Sequence, residues 1–272
     1  MTTKPKIPKS QLNDFIKKLE LQALETSEER IPLYLEVGLK DADLILDVGC
    51  GPGTITLDMA ARVSPGAVIG IDAAADVIEK AAAAAANSGL SNVSFVQGNC
   101  YALDFPDDSF DIVHAHQVLQ HLTDPVAALR EMRRVVKPDG VVGVRDADYN
   151  GMFWSPQLPV LDRWMEIYQA VARANDAEPN AGRFLLGWAQ EAGFEAVTPS
   201  ADTWCFATPE DREWWGNLWA DRVVASALGE QAMSYGLATA EDLAEIRAAW
   251  HEWRDHPAGW FAVVNAELLC RP

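Results

Sequence analysis

Short apolar runs alternate with helical stretches through the first half of the chain. Leu44–Val48 reads as a buried strand, followed by a Gly-rich turn at Gly49–Gly53 and a helix from Thr54 to about Val63. Ala67–Ile71 (ending at Asp72), Val93–Gln97, Phe110–Ala115 and Val141–Ala147 read as further strands. Ala74–Asn87 and Asp124–Val136 read as helices between them. Continuous apolar runs mark strands covered on both faces, and their alternation with helices predicts βαβ units in a parallel sheet. Upstream, residues 1–10 form a Lys- and Pro-rich tail. Leu12, Phe15, Ile16 and Leu19 then recur at helical spacing within Gln11–Val37.

Beyond Asp148 the pattern changes. Residues 156–192 read as helices, with Leu161, Trp164, Met165 and Tyr168 on one face, and Phe194–Pro199 as a strand. Pro209–Asp255 is helical again, and Trp260–Leu269 is a last strand. The expected organisation is an N-terminal tail and helices over 1–40 and an α/β core over 41–150. Residues 151–272 would carry helical insertions with the last two strands.

Composition sharpens this division. All ten Trp lie at or after Trp154. The 272 residues carry a formal charge of −18, and no Lys follows Lys137. Such a field repels polyphosphate and anionic lipid, so neither nucleic acid nor a membrane surface is expected as a partner. It favours a neutral or cationic small molecule. Cys50, Cys100, Cys205 and Cys270 are far apart, which predicts a reducing, cytoplasmic setting. No apolar run is long enough to span a bilayer.

The chemistry concentrates in Asp47-Val48-Gly49-Cys50-Gly51-Pro52-Gly53. Glycines where a first strand turns into a first helix admit positive φ and close approach of a ligand. The spacing is G-x-G-x-G, not the G-x-G-x-x-G of dinucleotide binders. Asp47 would repel a pyrophosphate and suits an ammonium group.

These residues resemble the class I S-adenosylmethionine-dependent methyltransferases. The likeness extends through Asp72, Gly98-Asn99-Cys100, Leu103–Asp111, Gln117–Pro125 and Val136–Gly140, in the right order across about residues 40–148. It implies a Rossmann-like, doubly wound, seven-stranded sheet, mostly parallel with an antiparallel last strand, plus helical lid insertions. It also implies S-adenosyl-L-methionine as cofactor, held by Asp47, Gly49, Cys50, Gly51, Gly53, Asp72, Ala73, Asn99, Cys100, His116 and Gln117. Asp72 would grip the ribose hydroxyls. Asn99 stands where the family usually has an acid facing the adenine amine, and its carbonyl oxygen can still accept.

His116 and His121 are the candidate general bases. His114 and His116 share one side of their strand, but no third convergent ligand is evident, so no metal is expected. Arg145 and Asp146 lie at a strand's carboxyl end, where α/β sheets bind ligands, and alternation sends them to opposite faces. Arg145, Asp146, Trp154 and Trp215 are the candidate substrate residues. Most of the Trp side chains are expected to pack the core of the insertions, which the family uses as a lid. A looser likeness to thiol and dithiol methyltransferases and to quinone C-methyltransferases ranks the acceptors. A cofactor-binding protein without turnover, or a nicotinamide-dependent oxidoreductase, is the alternative reading.

Overall fold

The computed structural model describes residues 39–41 and 43–272. The expected tail and the helical stretch Gln11–Val37 lie outside these residues. The expected strands are present: β1 (Leu44–Val48), β2 (Ala67–Asp72), β3 (Val93–Gln97), β4 (Phe110–His116), β5 (Val136–Ala147), β7 (Ala196–Phe206) and β8 (Trp260–Arg271). A short β6 (Phe153–Ser155) is an eighth. The helices are α1 (Thr54–Arg62), α2 (Ala75–Ser88), α3 (Pro125–Val135), α4 (Pro159–Ala174), α5 (Leu185–Glu191), α6 (Pro209–Ala225), α7 (Ala227–Ser234) and α8 (Ala240–Asp255). No helix among the described residues is long and apolar enough to cross a membrane.

Strands run in the order β3-β2-β1-β4-β5-β8-β6, with β7 also paired to β8. The β3-to-β5 pairings are parallel and β5 meets β8 antiparallel, so the doubly wound, mostly parallel sheet is as expected. Two boundaries moved for physical reasons. β5 begins at Val136, directly after α3, because Val136 pairs with Phe110 while 137–140 bulge out before Ile112 pairs with Val141. β7 runs to Phe206, but most of it is exposed, so it carries no apolar signal.

The described residues divide into two units. The first, 39–150, 177–203 and 264–272, holds the parallel sheet. Met59, Ala60 and Val63 of α1 cover one face. Leu129, Met132 and Val135 of α3, with Leu185 and Ala189 of α5, cover the other. Helix α3 starts where the chain dictates. Asp124 caps it by accepting from Ala127 N at 2.9 Å, and Pro125 occupies the first turn, where no N–H is needed.

The second unit, 151–176 and 204–263, is built on indole rings. Trp164 stands edge-on to Trp219 (4.6 Å) and Trp250 (4.9 Å), while Trp219 and Trp250 lie nearly parallel at 5.9 Å. Trp253 joins them and donates Nε1–H to Ser155 O at 3.1 Å. Edge-to-face rings contribute about 0.5–1.5 kcal/mol per pair beyond their buried area. Trp154 stacks on Phe261 at 5.5 Å and Trp215 on Phe206 at 4.2 Å, both buried. Where a substrate role was expected for Trp154 and Trp215, the structure packs both rings inside this aromatic core.

Candidate functional site

The Gly49–Gly53 loop leaves β1 with Gly49, Gly51 and Gly53 all at positive φ (69°, 54° and 86°). At Gly49 a Cβ would sit 2.6 Å from Val118 Cγ2, so the glycine lets the turn after β4 press against the loop. At Gly53 it would sit 2.6 Å from Phe95 Cζ. Above Gly51, by contrast, a Cβ meets nothing within 4 Å, so the loop opens onto free space. The loop is fixed to β2 by two bonds: Cys50 N donates to Ile71 O at 2.9 Å, and Gly51 N to Asp72 Oδ2 at 3.2 Å. Asp72 Oδ1 accepts from Ala74 N at 3.0 Å, and the Ala73 carbonyl accepts from Gln97 Nε2 at 2.9 Å.

Asp47 sits behind this loop, 2% exposed. Thr56 Oγ1 donates to its Oδ2 at 2.6 Å, and His114 Nδ1 lies 2.8 Å from its Oδ1. The expected direct contact between Asp47 and an ammonium group gives way to this network, which ties β1 to α1 and β4. Burial, with Asp47 and Asp72 nearby, pushes the Cys50 thiol far up, and burial also raises Cys100. Neither is a nucleophile at neutral pH.

Beyond β3 the chain encloses a cavity of about 150 Å³ walled by Ile71, Val96, Leu103 and Phe105, with Gln97, Asn99 and Asp104 as polar groups. Asn99 Oδ1 accepts from the Tyr101 N–H at 3.0 Å, an Asx turn.

The turn after β4 carries the histidines. His116 is half-buried at the strand end, its ring 6.2 Å from that of His114, and His121 is exposed at the close of the 3-10 turn Leu119–His121. Gln117, at φ 57°, donates from Nε2 to Asn265 Oδ1 at 2.8 Å and accepts from Gln120 Nε2 at 2.7 Å. Asp146 is fully buried under this turn and accepts from the N–H groups of Leu119 (3.3 Å) and Gln120 (3.0 Å). Instead of offering itself to a substrate, Asp146 holds the turn that carries His121. Arg145 is likewise corrected. It points to the other face, fully buried, and pairs with Glu267 and with Asp202 (3.2 Å). Asp148 receives two bonds from the Arg183 side chain. Sequence reasoning missed Arg183 and Asn265, whose pairings are long-range, and Gln120, whose side chain meets Gln117 only once the turn is folded.

Residues 39–196 match the family model described as a methyltransferase domain. The chain belongs to the S-adenosylmethionine-dependent methyltransferases. An uncharacterized methyltransferase of Schizosaccharomyces pombe is 37% identical over 89% of this chain and 88% of its own length. The probable methyltransferase ltbC of Aspergillus luteorubrus is 31% identical over 95% of this chain and 97% of its own. The crystal structure of YcgJ from Bacillus subtilis shows the same fold, with a TM-score of 0.59 at 23% identity over 88% of this chain and 97% of that one. The methyltransferase takes S-adenosylmethionine as cofactor, and the open space over Gly51, the Asp72 carboxylate and the cavity beyond β3 fit such a molecule. Among the described residues, no group of three His, Cys, Asp or Glu side chains is placed to hold a metal.

Burial raises Asp146 from an ordinary 3.8 to about 7, against the opposing pull of the two N–H donors. The folded state therefore binds a proton that the unfolded chain has lost above pH ~4. This contribution to stability is complete below the unfolded value and is lost as pH rises through about 7. Between pH ~5.5 and ~8 the wild type should lose about 2 kcal/mol of unfolding free energy relative to Asp146→Asn. Urea denaturation at both pH values checks it; parallel pH dependence in the two proteins would refute it.

Proposed function

We propose that the chain methylates a small, largely apolar metabolite, with a thiol or dithiol acceptor in first place and a phenol or quinol second. One observation carries the ranking: the base within reach of the strand ends is imidazole. His116 ends β4 and His121 ends the next turn, while Asp146 is turned into the protein and Asp148 is held by Arg183. Free imidazole titrates near ~6.5, a thiol near ~8.5 and a phenol near ~10. Passing the acceptor's proton to imidazole thus costs about 3 kcal/mol for a thiol and about 5 kcal/mol for a phenol.

When bound, S-adenosylmethionine supplies a methyl group already activated on a sulfonium sulfur. The protein's share is positioning and exclusion of water. Asp72 and the open face of the loop above Gly51 hold the nucleoside end, and the Gln117–His121 turn, braced by Asp146 and Asn265, places an imidazole beside the acceptor.

A panel of thiols, dithiols, phenols and quinols, read by S-adenosylhomocysteine release, tests this. With a thiol acceptor, either His116→Gln or His121→Gln should lower kcat about 10- to 100-fold near pH ~7. The loss should shrink toward pH ~9, where the thiol ionises unaided. Faster turnover of phenols or quinols than of any thiol would replace the ranking, and binding without turnover of any class would favour a non-catalytic protein.

A further inference from the structure

The cavity beyond β3 contains one carboxylate, and it is not at the position where the family resemblance places an acid. That position is Asn99, whose Oδ1 is engaged by the Tyr101 N–H at 3.0 Å. That oxygen is uncharged and already accepts one bond, so its remaining lone pair holds an amino group less strongly than a carboxylate does. Asp104 lines the same cavity, is exposed, and makes no hydrogen bond or ion pair among the described residues. Its acceptor sites are therefore open, and a charged acceptor makes a stronger bond than an amide oxygen.

The backbone carrying Asp104 is fixed independently of any ligand. Ala102 N donates to Asn99 O at 3.0 Å, which folds the chain back over the cavity. On either side of Asp104, helix α3 then clamps the main chain. Leu103 N donates to Glu131 Oε2 at 2.8 Å, and Arg134 donates from Nη2 to Leu103 O and from Nη1 to Phe105 O, each at 2.8 Å. Arg134 and Glu131 also pair with each other at 2.8 Å. Leu103 is buried as part of the core while its neighbour Asp104 stays exposed. A side chain on so constrained a backbone gives up little backbone freedom on binding, which favours recognition over solvation.

We propose that Asp104, not Asn99, accepts the 6-amino group of the cofactor's adenine and sets the preference for that base. This rests on the S-adenosylmethionine reading of the cavity. The test is calorimetric binding of S-adenosylhomocysteine and of its 6-oxo analogue, S-inosylhomocysteine, whose exocyclic C6 oxygen replaces the amino donor with an acceptor that the carboxylate repels. Wild-type protein should prefer the amino compound by about 100-fold. Asp104→Asn should weaken the amino compound about 10- to 100-fold and bring the two ligands within about threefold of each other. Asn99→Ser, which retains a turn-forming acceptor, should leave the preference intact. An unchanged preference in Asp104→Asn, or its loss in Asn99→Ser, overturns the assignment while leaving the cofactor in place. Failure of the wild type to bind S-adenosylhomocysteine at all would overturn the cofactor reading and this proposal together. Because Asp104 is exposed and has no partner among the described residues, the thermal midpoint of its variant should match wild type, which separates recognition from folding.

Discussion

Replacing Asp72 by Asn should weaken S-adenosylhomocysteine binding by about 100- to 1,000-fold while the protein stays folded. The carboxylate closes β2 and accepts from two backbone donors, Gly51 N at 3.2 Å and Ala74 N at 3.0 Å. Each oxygen keeps a second lone pair, so a vicinal diol can bind both at once, as the family resemblance implies for the ribose. Hydrogen bonds to a charged acceptor contribute about 1.5–3 kcal/mol each, and two of them account for the expected range. The amide cannot reproduce this. Whichever way it turns, its NH2 opposes a backbone donor and presents a donor to one hydroxyl. The loop also loses one of its two ties to β2, the other being Cys50 N to Ile71 O at 2.9 Å. Stability should fall by only about 1 kcal/mol, because the exchange is made at a part-buried position. Titration calorimetry with S-adenosylhomocysteine, alongside a urea curve, distinguishes the outcomes. Unchanged affinity would remove Asp72 from the cofactor site.

Asp72 was legible in the sequence because everything that defines its place is local: an apolar run, an acid at its end, and a helix after it. The same holds for the glycine loop and for the helix read from Asp124 onward, whose start lies beside Pro125. Side chains defined by pairing between distant strands were not legible. Asp47 meets His114 across the β1–β4 pairing, and nothing near either residue signals the other. Alternation correctly sent Arg145 and Asp146 to opposite faces, yet it says nothing of what waits there. Arg145 finds Glu267 across the β5–β8 pairing, and Asp146 finds the N–H groups of a turn whose path follows from Gln117 at positive φ. Trp154 and Trp215 illustrate a different limit. An indole suits an apolar chamber and a hydrophobic core equally, and only the stacking on Phe261 and Phe206 separates the two. Asn99 was recognisable as a departure from the family pattern, but its engagement by Tyr101 N, and the open carboxylate of Asp104 nearby, are properties of the folded turn.

The second large effect is expected at Arg145. Arg145→Met should destabilise the protein by about 3–5 kcal/mol, since removing one partner strands a buried opposite charge. The stranded group is Glu267, which stands directly across from Arg145 in the β5–β8 register and is buried; its other bond within reach is from Ser200 Oγ at 3.2 Å. Asp202, the third member, is 41% exposed and stays hydrated when the arginine goes, so its part of the loss is small. Removing both buried charges should recover most of the stability. Arg145→Met combined with Glu267→Met places two apolar side chains of similar length on one face of an antiparallel pair. Replacements of a buried ion pair by apolar side chains of similar volume are often neutral or stabilising. A double-mutant cycle by urea denaturation reads the coupling directly. The same four proteins carry a functional control. If Arg145 serves the sheet alone, kcat of the double variant should follow its folded fraction and return close to wild type. A double variant that regains stability but not turnover would return Arg145 to the acceptor site. A single variant that loses less than about 1 kcal/mol would mean that Glu267 is not stranded, and that the ion pair contributes as little as an exposed one.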